Sequence, residues 1–219
     1  MKNLKSLTSV LAIAFCFIAV SCNSQENTEN TNQITFSEQE LSIINSEDSV
    51  LYVLVVGNKE DSLILRNSSR DFTEEELNSE YVQRLAEKMI TTVQDPSQDG
   101  VGIAAPQVGL NIRMIAVMRF DKENHPFEAY ANPYILRYEG NVVEGPEGCL
   151  SIPGYRGIVP RRDTVVMQYF DVQKKENVVD TVAGFSAIIF QHETDHLDGI
   201  LYTDRAVEVT EKSREQEKK

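Results

Sequence analysis

His192-Glu193-Thr194-Asp195-His196 constrains this chain more than any other stretch, because its two imidazoles and the carboxylate between them act together when the segment is helical. Residues four apart share a helical face, so both histidines can reach one metal ion while Glu193 stands beside them to take a proton from water. The residues leading in, Phe185, Ile188 and Ile189, fall along the same face. The spacing predicts a helix over 184–197, buried in the core with its metal end at a cleft, and Gly199 as its C-terminal stop.

Short segments at 113–118, 134–138, 142–145, 164–170 and 177–182 are rich in β-branched and aromatic residues and are divided by Gly, Pro and Asn. They lie too close together for helical crossovers, which favours an antiparallel or mixed sheet. Residues 51–56 read as a further strand. Tyr81, Val82, Leu85, Met89, Ile90 and Val93 recur at helical spacing and predict an amphipathic core helix over 79–94.

The first 22 residues differ in kind. Lys2 and Lys5 lead into an apolar run from Leu7 to Val20, too short to span a bilayer comfortably, which reads as a secretory signal. Its ending, Ala19-Val20-Ser21-Cys22, resembles a bacterial lipoprotein signal, in which cleavage leaves Cys22 to carry lipid. A short uncleaved anchor is the other reading, and both tether the protein to a membrane. The lipoprotein reading puts it outside the cytoplasm. A polar tether is expected over 23–45, most polar at 23–35, then a single catalytic domain over 46–208 and a charged tail, solvated or frayed, over 209–219. Loss of residues 1–21 removes two lysines and no acid, taking the formal charge from -13 to -15. An anionic surface of that size repels phosphate backbones and argues against a nucleic-acid partner. With Cys16 in the signal and Cys22 at its end, Cys149 is alone in the folded part, which excludes a disulfide framework.

A catalytic metal of this type takes three protein ligands and keeps a position for water. The extended pattern H-E-x-x-H-x-x-G-x-x-H holds through Gly199 and fails at Tyr202, where a third histidine would stand. His125 lies in a turn-like segment, and Glu208, Glu211, Glu215 and Glu217 belong to the charged tail. Cys149, in Glu147-Gly148-Cys149-Leu150-Ser151-Ile152-Pro153, completes a sound tetrahedral set with two imidazoles. A third element is Gly100-Val101-Gly102-Ile103-Ala104-Ala105-Pro106-Gln107-Val108-Gly109. Its glycines alone could mark a tight loop or a phosphate cradle, although Pro106 argues against the helix a cradle needs. The Gln107 amide is suited to donate to a developing oxyanion.

Gly100 to Gln107, Glu147 to Ser151 and Gln191 to His196 together resemble the three signatures of the peptide deformylase family, in the same order, within about residues 60 to 205. The resemblance implies an α+β fold with mixed or antiparallel β-sheets around a central helix carrying the H-E-x-x-H motif. It implies removal of formyl groups from N-formylmethionyl peptides by a metal-dependent hydrolase. One divalent cation is implied, usually ferrous iron, with zinc, nickel or cobalt also compatible with the ligands. By the same resemblance Cys149, His192 and His196 bind the metal, Glu193 is general base and acid, and Gln107 with the Leu150 backbone N–H stabilises the oxyanion. Gly102 pairs with the substrate backbone, Arg156 holds a peptide carbonyl, and Phe185, Ile188 and Ile189 wall the methionine pocket or simply fill the core. A metallopeptidase and a formyl-peptide-binding lipoprotein on the same scaffold are the other readings. Ile103, where the family commonly has leucine, is a mild departure.

Overall fold

A computed structural model describes residues 36–98 and 100–212. The expected signal over 1–22, lipid on Cys22 and the most polar part of the tether lie outside those residues.

Helices come first. Ser37 opens α1 (Glu38–Ile44) through a capping box with Glu40, and Ile44 is fully buried. The tether expected up to residue 45 ends sooner: a capped helix start and the buried Phe36 and Ile44 fold residues 36–45 onto the domain. Asn58 and Thr73 cap α2 (Lys59–Leu65) and α3 (Glu74–Leu77). In α4 (Glu80–Gln94), Val82, Leu85, Ala86, Met89 and Val93 form the buried stripe that the spacing predicts.

Residues 51–56 form no strand, contrary to the sequence expectation. Their backbone bonds run to loops: the Leu54 N–H donates to Gln107 O at 2.8 Å and the Val56 N–H to Ser151 O at 3.0 Å. The partners available to this stretch were the two segments that flank the cleft, not a strand.

One antiparallel sheet follows, in the order β1 (Gly102–Ala104), β2 (Met114–Met118), β3 (Phe127–Cys149), β4 (Ile152–Asp171), β5 (Glu176–Ala183). The segments at 134–138 and 142–145 are parts of the single long β3, and 164–170 is the end of the long β4. Gly and Pro, read as strand ends, instead accompany irregularities; the register shift between Glu139 and Val142 contains Gly140. Cys149 pairs with Ile152 across the tight β3–β4 turn. The expected tail is solvated but not frayed where it begins. Its first residues form β6 (Glu208–Glu211), paired with Tyr155 to Ile158 of β4 although all four side chains are exposed, so the ladder bonds hold it.

Helices cover both faces of the sheet. Met114 and Ala116 of β2 join the apolar cluster under α4, whereas Ile115 and Val117 join the cluster under α5 (Phe185–Leu197). Alternate strand residues point to opposite faces, so a strand covered on both sides is apolar throughout. Every residue of α5 from Ile189 to Leu197 is buried. After it, Gly199 has φ +72 and sits where a Cβ would come within 2.4 Å of Arg66 O, so only glycine ends the helix here. The short α6 (Tyr202–Arg205) then leads to β6.

Candidate active site and metal centre

Two elements bring three ligands together. α5 presents His192 and His196 with ring centroids 5.1 Å apart, and the end of β3 presents Cys149, whose Sγ lies 3.2 Å from His196 Nε2. The three potential ligand atoms all fall within 4.8 Å of one another. Tetrahedral coordination by sulfur and nitrogen at ~2.0–2.3 Å places ligand atoms ~3.3–3.8 Å apart, so this set accommodates a divalent cation with little movement. Beside it, Glu193 Oε2 is buried and finds no partner among the described residues. A thiol, two imidazoles and an unpaired carboxylate oxygen converging in a buried place fit a cation far better than they fit a core.

The ligands are held from behind. His192 Nδ1 lies 2.8 Å from Glu147 Oε2, which leaves Nε2 for the site. Arg161 grips Glu147 at 2.8 and 3.0 Å and reaches Asp195 at 2.5 Å, and Arg205 closes the chain on Asp195 at 2.6 and 2.7 Å. Burial opposes ionisation of Glu147, but the bonds from His192 and Arg161 hold its carboxyl below the usual range. Burial also opposes a charged His192, yet its contacts with Cys149 and Glu147 raise its pKa well above the ordinary value. His196 is pushed well below by burial and by the charges on His192 and Arg161, which keeps its lone pair free. Burial lifts Glu193 to about 7, with His192 and Arg161 opposing and Glu147 and Asp195 adding to the rise. A carboxylate poised near neutrality suits proton transfer in both directions.

Gln107 is oriented rather than merely nearby. Its Oε1 accepts from the Ala104 N–H at 2.8 Å, so Nε2 must face the site, 3.2 Å from Ser151 Oγ and 3.5 Å from Cys149 Sγ. Pro106 sits in the first turn of the short 3-10 helix, Ala105–Val108, that carries it. Gly102 backs directly onto the Glu193 carboxylate: a Cβ there would lie 2.5 Å from Glu193 Oε1 and 2.8 Å from Ile189 Cγ2.

These residues line one cleft of about 300 Å³. Gly102, Gln107, Cys149, Leu150, His192 and Glu193 surround its floor, and Phe185, Ile188, Ile189 and Arg156 are also on its walls. Ile189 is buried, Ile188 half-buried, and Phe185 is 53% exposed at the mouth, against Phe120 at 5.0 Å. Of the sites expected from sequence, all but Cys22 and His196 line this cleft, and His196 joins the same centre through Cys149 and His192. His125 is exposed in a turn with φ +45, away from the cleft lining. Tyr202, where a third histidine was sought, stacks on His192 with centroids 6.1 Å apart.

Glu147, Arg161, Asp195, Arg205 and Lys212 were not assigned roles from sequence. A signal existed for Glu147, since two residues before Cys149 on a strand is the same face. Arg161 and Arg205 carried none, because the pairing of β3 with β4 and the return of α6 bring them in.

Fold and site therefore define a metal-dependent hydrolase with a Cys-His-His centre. The sequence pattern of the polypeptide deformylase family matches residues 50–212, and the chain belongs to that family. It is 40% identical over 141 residues to peptide deformylase 2 of Nostoc sp., covering 60% of this chain and 75% of that one. With the Leptospira biflexa peptide deformylase it shares 37% over 167 residues, 72% of this chain and 88% of the other. Among solved structures, the Met-Ala-Ser-bound class I type b peptide deformylase of Acinetobacter baumannii superposes with a TM-score of 0.62 at 38% identity, covering 71% of this chain and 98% of that one. The Thermotoga maritima enzyme gives 0.63 at 31%, covering 73% and 99%. The chain is accordingly an enzyme that removes N-formyl groups from peptides with one divalent metal ion, on an antiparallel sheet flanked by helices.

Proposed function

We propose that Cys149, His192 and His196 hold the divalent cation at one end of the cleft, that Glu193 moves the proton, and that the substrates are peptides beginning with formyl-methionine. The observation that carries this is the buried, unpaired Glu193 oxygen beside the three ligands, with the Gln107 amide turned toward the same spot. A cation bound there supplies a Lewis acid that makes water more acidic, from about 15.7 toward about 7. We assign ferrous iron as the native ion; a thiolate with two imidazoles also takes zinc, nickel or cobalt.

The chain's own residues do the rest. Glu193 accepts a proton as water adds to the formyl carbon, and returns it to the amide nitrogen as the C–N bond breaks, giving formate and a free amine. Gln107 Nε2 and the Leu150 N–H donate to the oxygen that gains charge. Gly102 aligns the peptide backbone, Arg156 holds a peptide carbonyl, and Phe185, Ile188 and Ile189 receive the methionine side chain. α5 is the central helix of this reading, since its H-E-x-x-H residues supply two ligands and the base. The Met-Ala-Ser bound to the Acinetobacter relative has the composition of a deformylated tripeptide and supports the same assignment.

The proposal extends to the N terminus: Cys22 carries lipid and anchors the enzyme to a membrane, facing outside the cytoplasm. Lys2, Lys5, the apolar run to Val20 and the small residues before Cys22 support it. Mass spectrometry of the membrane fraction should find Cys22 as a lipidated N-terminal residue, and an intact Met1 refutes it.

Incubating the metal-loaded protein with formyl-Met-Ala-Ser tests the chemistry. Formate and Met-Ala-Ser are the expected products. Cleavage between residues would mark a metallopeptidase, and binding without turnover a formyl-peptide-binding protein.

A further inference from the structure

The catalytic cleft does not end at Arg156. A second hollow of about 240 Å³ adjoins it, and Pro146, Arg156 and Lys212 line both. β6 builds this junction. Thr210 pairs with Arg156 across the β4–β6 ladder, and Lys212, two residues on, returns to the same side as Thr210. The Lys212 N–H donates to Gly154 O at 2.7 Å, which fixes where its side chain starts.

The chain carries 34 acids against 21 bases, and its described arginines are nearly all held by acids or carbonyls. Among the described residues, Arg156 is the one arginine whose side chain makes neither a hydrogen bond nor an ion pair, and Lys212 makes none either. Both are left open at the junction of the two hollows. Glu208, four residues before Lys212 on the same side of β6, supplies an acid at the second hollow and confines the positive region to the end shared with the cleft.

We propose that Arg156 and Lys212 form a carboxylate subsite where the cleft leaves the metal centre, so that formyl peptides bearing a downstream carboxylate, from an acidic side chain or a free C terminus, are the preferred substrates. The inference rests on the deformylase reading above and adds Lys212 as a specificity-determining residue. An otherwise acidic surface repels such peptides, and the pair offsets that at the place where the substrate exits.

The full metal-loaded chain is assayed by formate release from formyl-Met-Ala-Asp-amide against its Asn counterpart, and from formyl-Met-Ala-Ser as free acid against amide. In each arm the carboxylate peptide should have the higher kcat/KM, by about three- to fivefold for partly exposed charge pairs, with the ratio shrinking as salt is added. Preference confined to one arm identifies the source of the carboxylate. Lys212→Gln should reduce the ratio toward one, Lys212→Glu should bring it below one, and Lys212→Arg should keep it. Ratios of one in both arms with formate still released overturn the subsite and leave the deformylase reading standing. A preference unchanged in Lys212→Glu overturns it equally. Failure of every peptide to release formate overturns the deformylase reading and the subsite with it.

Discussion

Gly102→Ala tests whether the cleft holds the Glu193 carboxylate by contact. The added Cβ would stand 2.5 Å from Glu193 Oε1, 3.0 Å from Cδ and 2.8 Å from Ile189 Cγ2, whereas ordinary contact begins near 3.4 Å. Relief requires the carboxylate to recede by about 0.9 Å, yet Glu193 and Ile189 are both 4% exposed and packed from behind. Misplacing a catalytic group by about 1 Å costs on the order of 100-fold, and overpacking a buried site costs about 1–3 kcal/mol. Formate release should therefore fall about 100-fold in kcat, with metal content unchanged, because no ligand moves. Gly145→Ala is the control: nothing lies within 4 Å of its added carbon, and it is absent from the cleft lining. If Gly102→Ala keeps activity within about threefold of the parent while its metal content and melting temperature are also unchanged, contact does not set the position of Glu193.

Glu193→Gln should retain the metal and lose about 10²–10⁴ of kcat, the range for a removed general base, checked by formate assay with metal analysis of the same sample. Glu147→Gln frees the His192 ring from its carboxylate and should weaken metal binding about 10- to 100-fold in a chelator competition. Because Glu193 must be ionised to accept a proton and burial lifts it to about 7, kcat/KM should rise with pH through an acid limb at or below about 7, a bound cation pulling it downward. A profile level from about pH 5 upward refutes that. Burial opposes ionisation of Asp121, but Arg119 and Ser186 hold its carboxyl at about 2, below the unfolded value of about 3.9. Its contribution to stability is fully present above about 3.9 and is lost as pH falls toward about 2. Asp121→Asn should flatten that part of a melting-temperature profile.

The site was legible where chemistry is local. His192, Glu193 and His196 lie within one and a half turns of helix, and Cys149 followed because the chain held no other sound third ligand. What stayed hidden depends on pairings far along the chain. Arg161 reaches Glu147 only because β3 and β4 form one long hairpin, and Lys212 reaches the cleft only because β6 adds to β4. The polar composition of 208–211 signalled solvent, and solvent is where its side chains are; its backbone bonds were what sequence periodicity does not report. Residues 51–56 show the converse, with strand-like residues whose partners are loops. The α1 cap at Ser37 and Glu40 was readable, but the polar run before it drew the boundary too far along the chain.

On the proposed chemistry, one cation held by Cys149, His192 and His196 drives formyl removal. The most direct measurement titrates ferrous iron into metal-free protein under anaerobic conditions while formate release from formyl-Met-Ala-Ser is followed. Activity should rise in proportion to bound metal and level off at one ion per chain, and Cys149→Ser should neither bind the ion tightly nor turn over. Full activity without metal, or a saturated site that releases no formate, would contradict it.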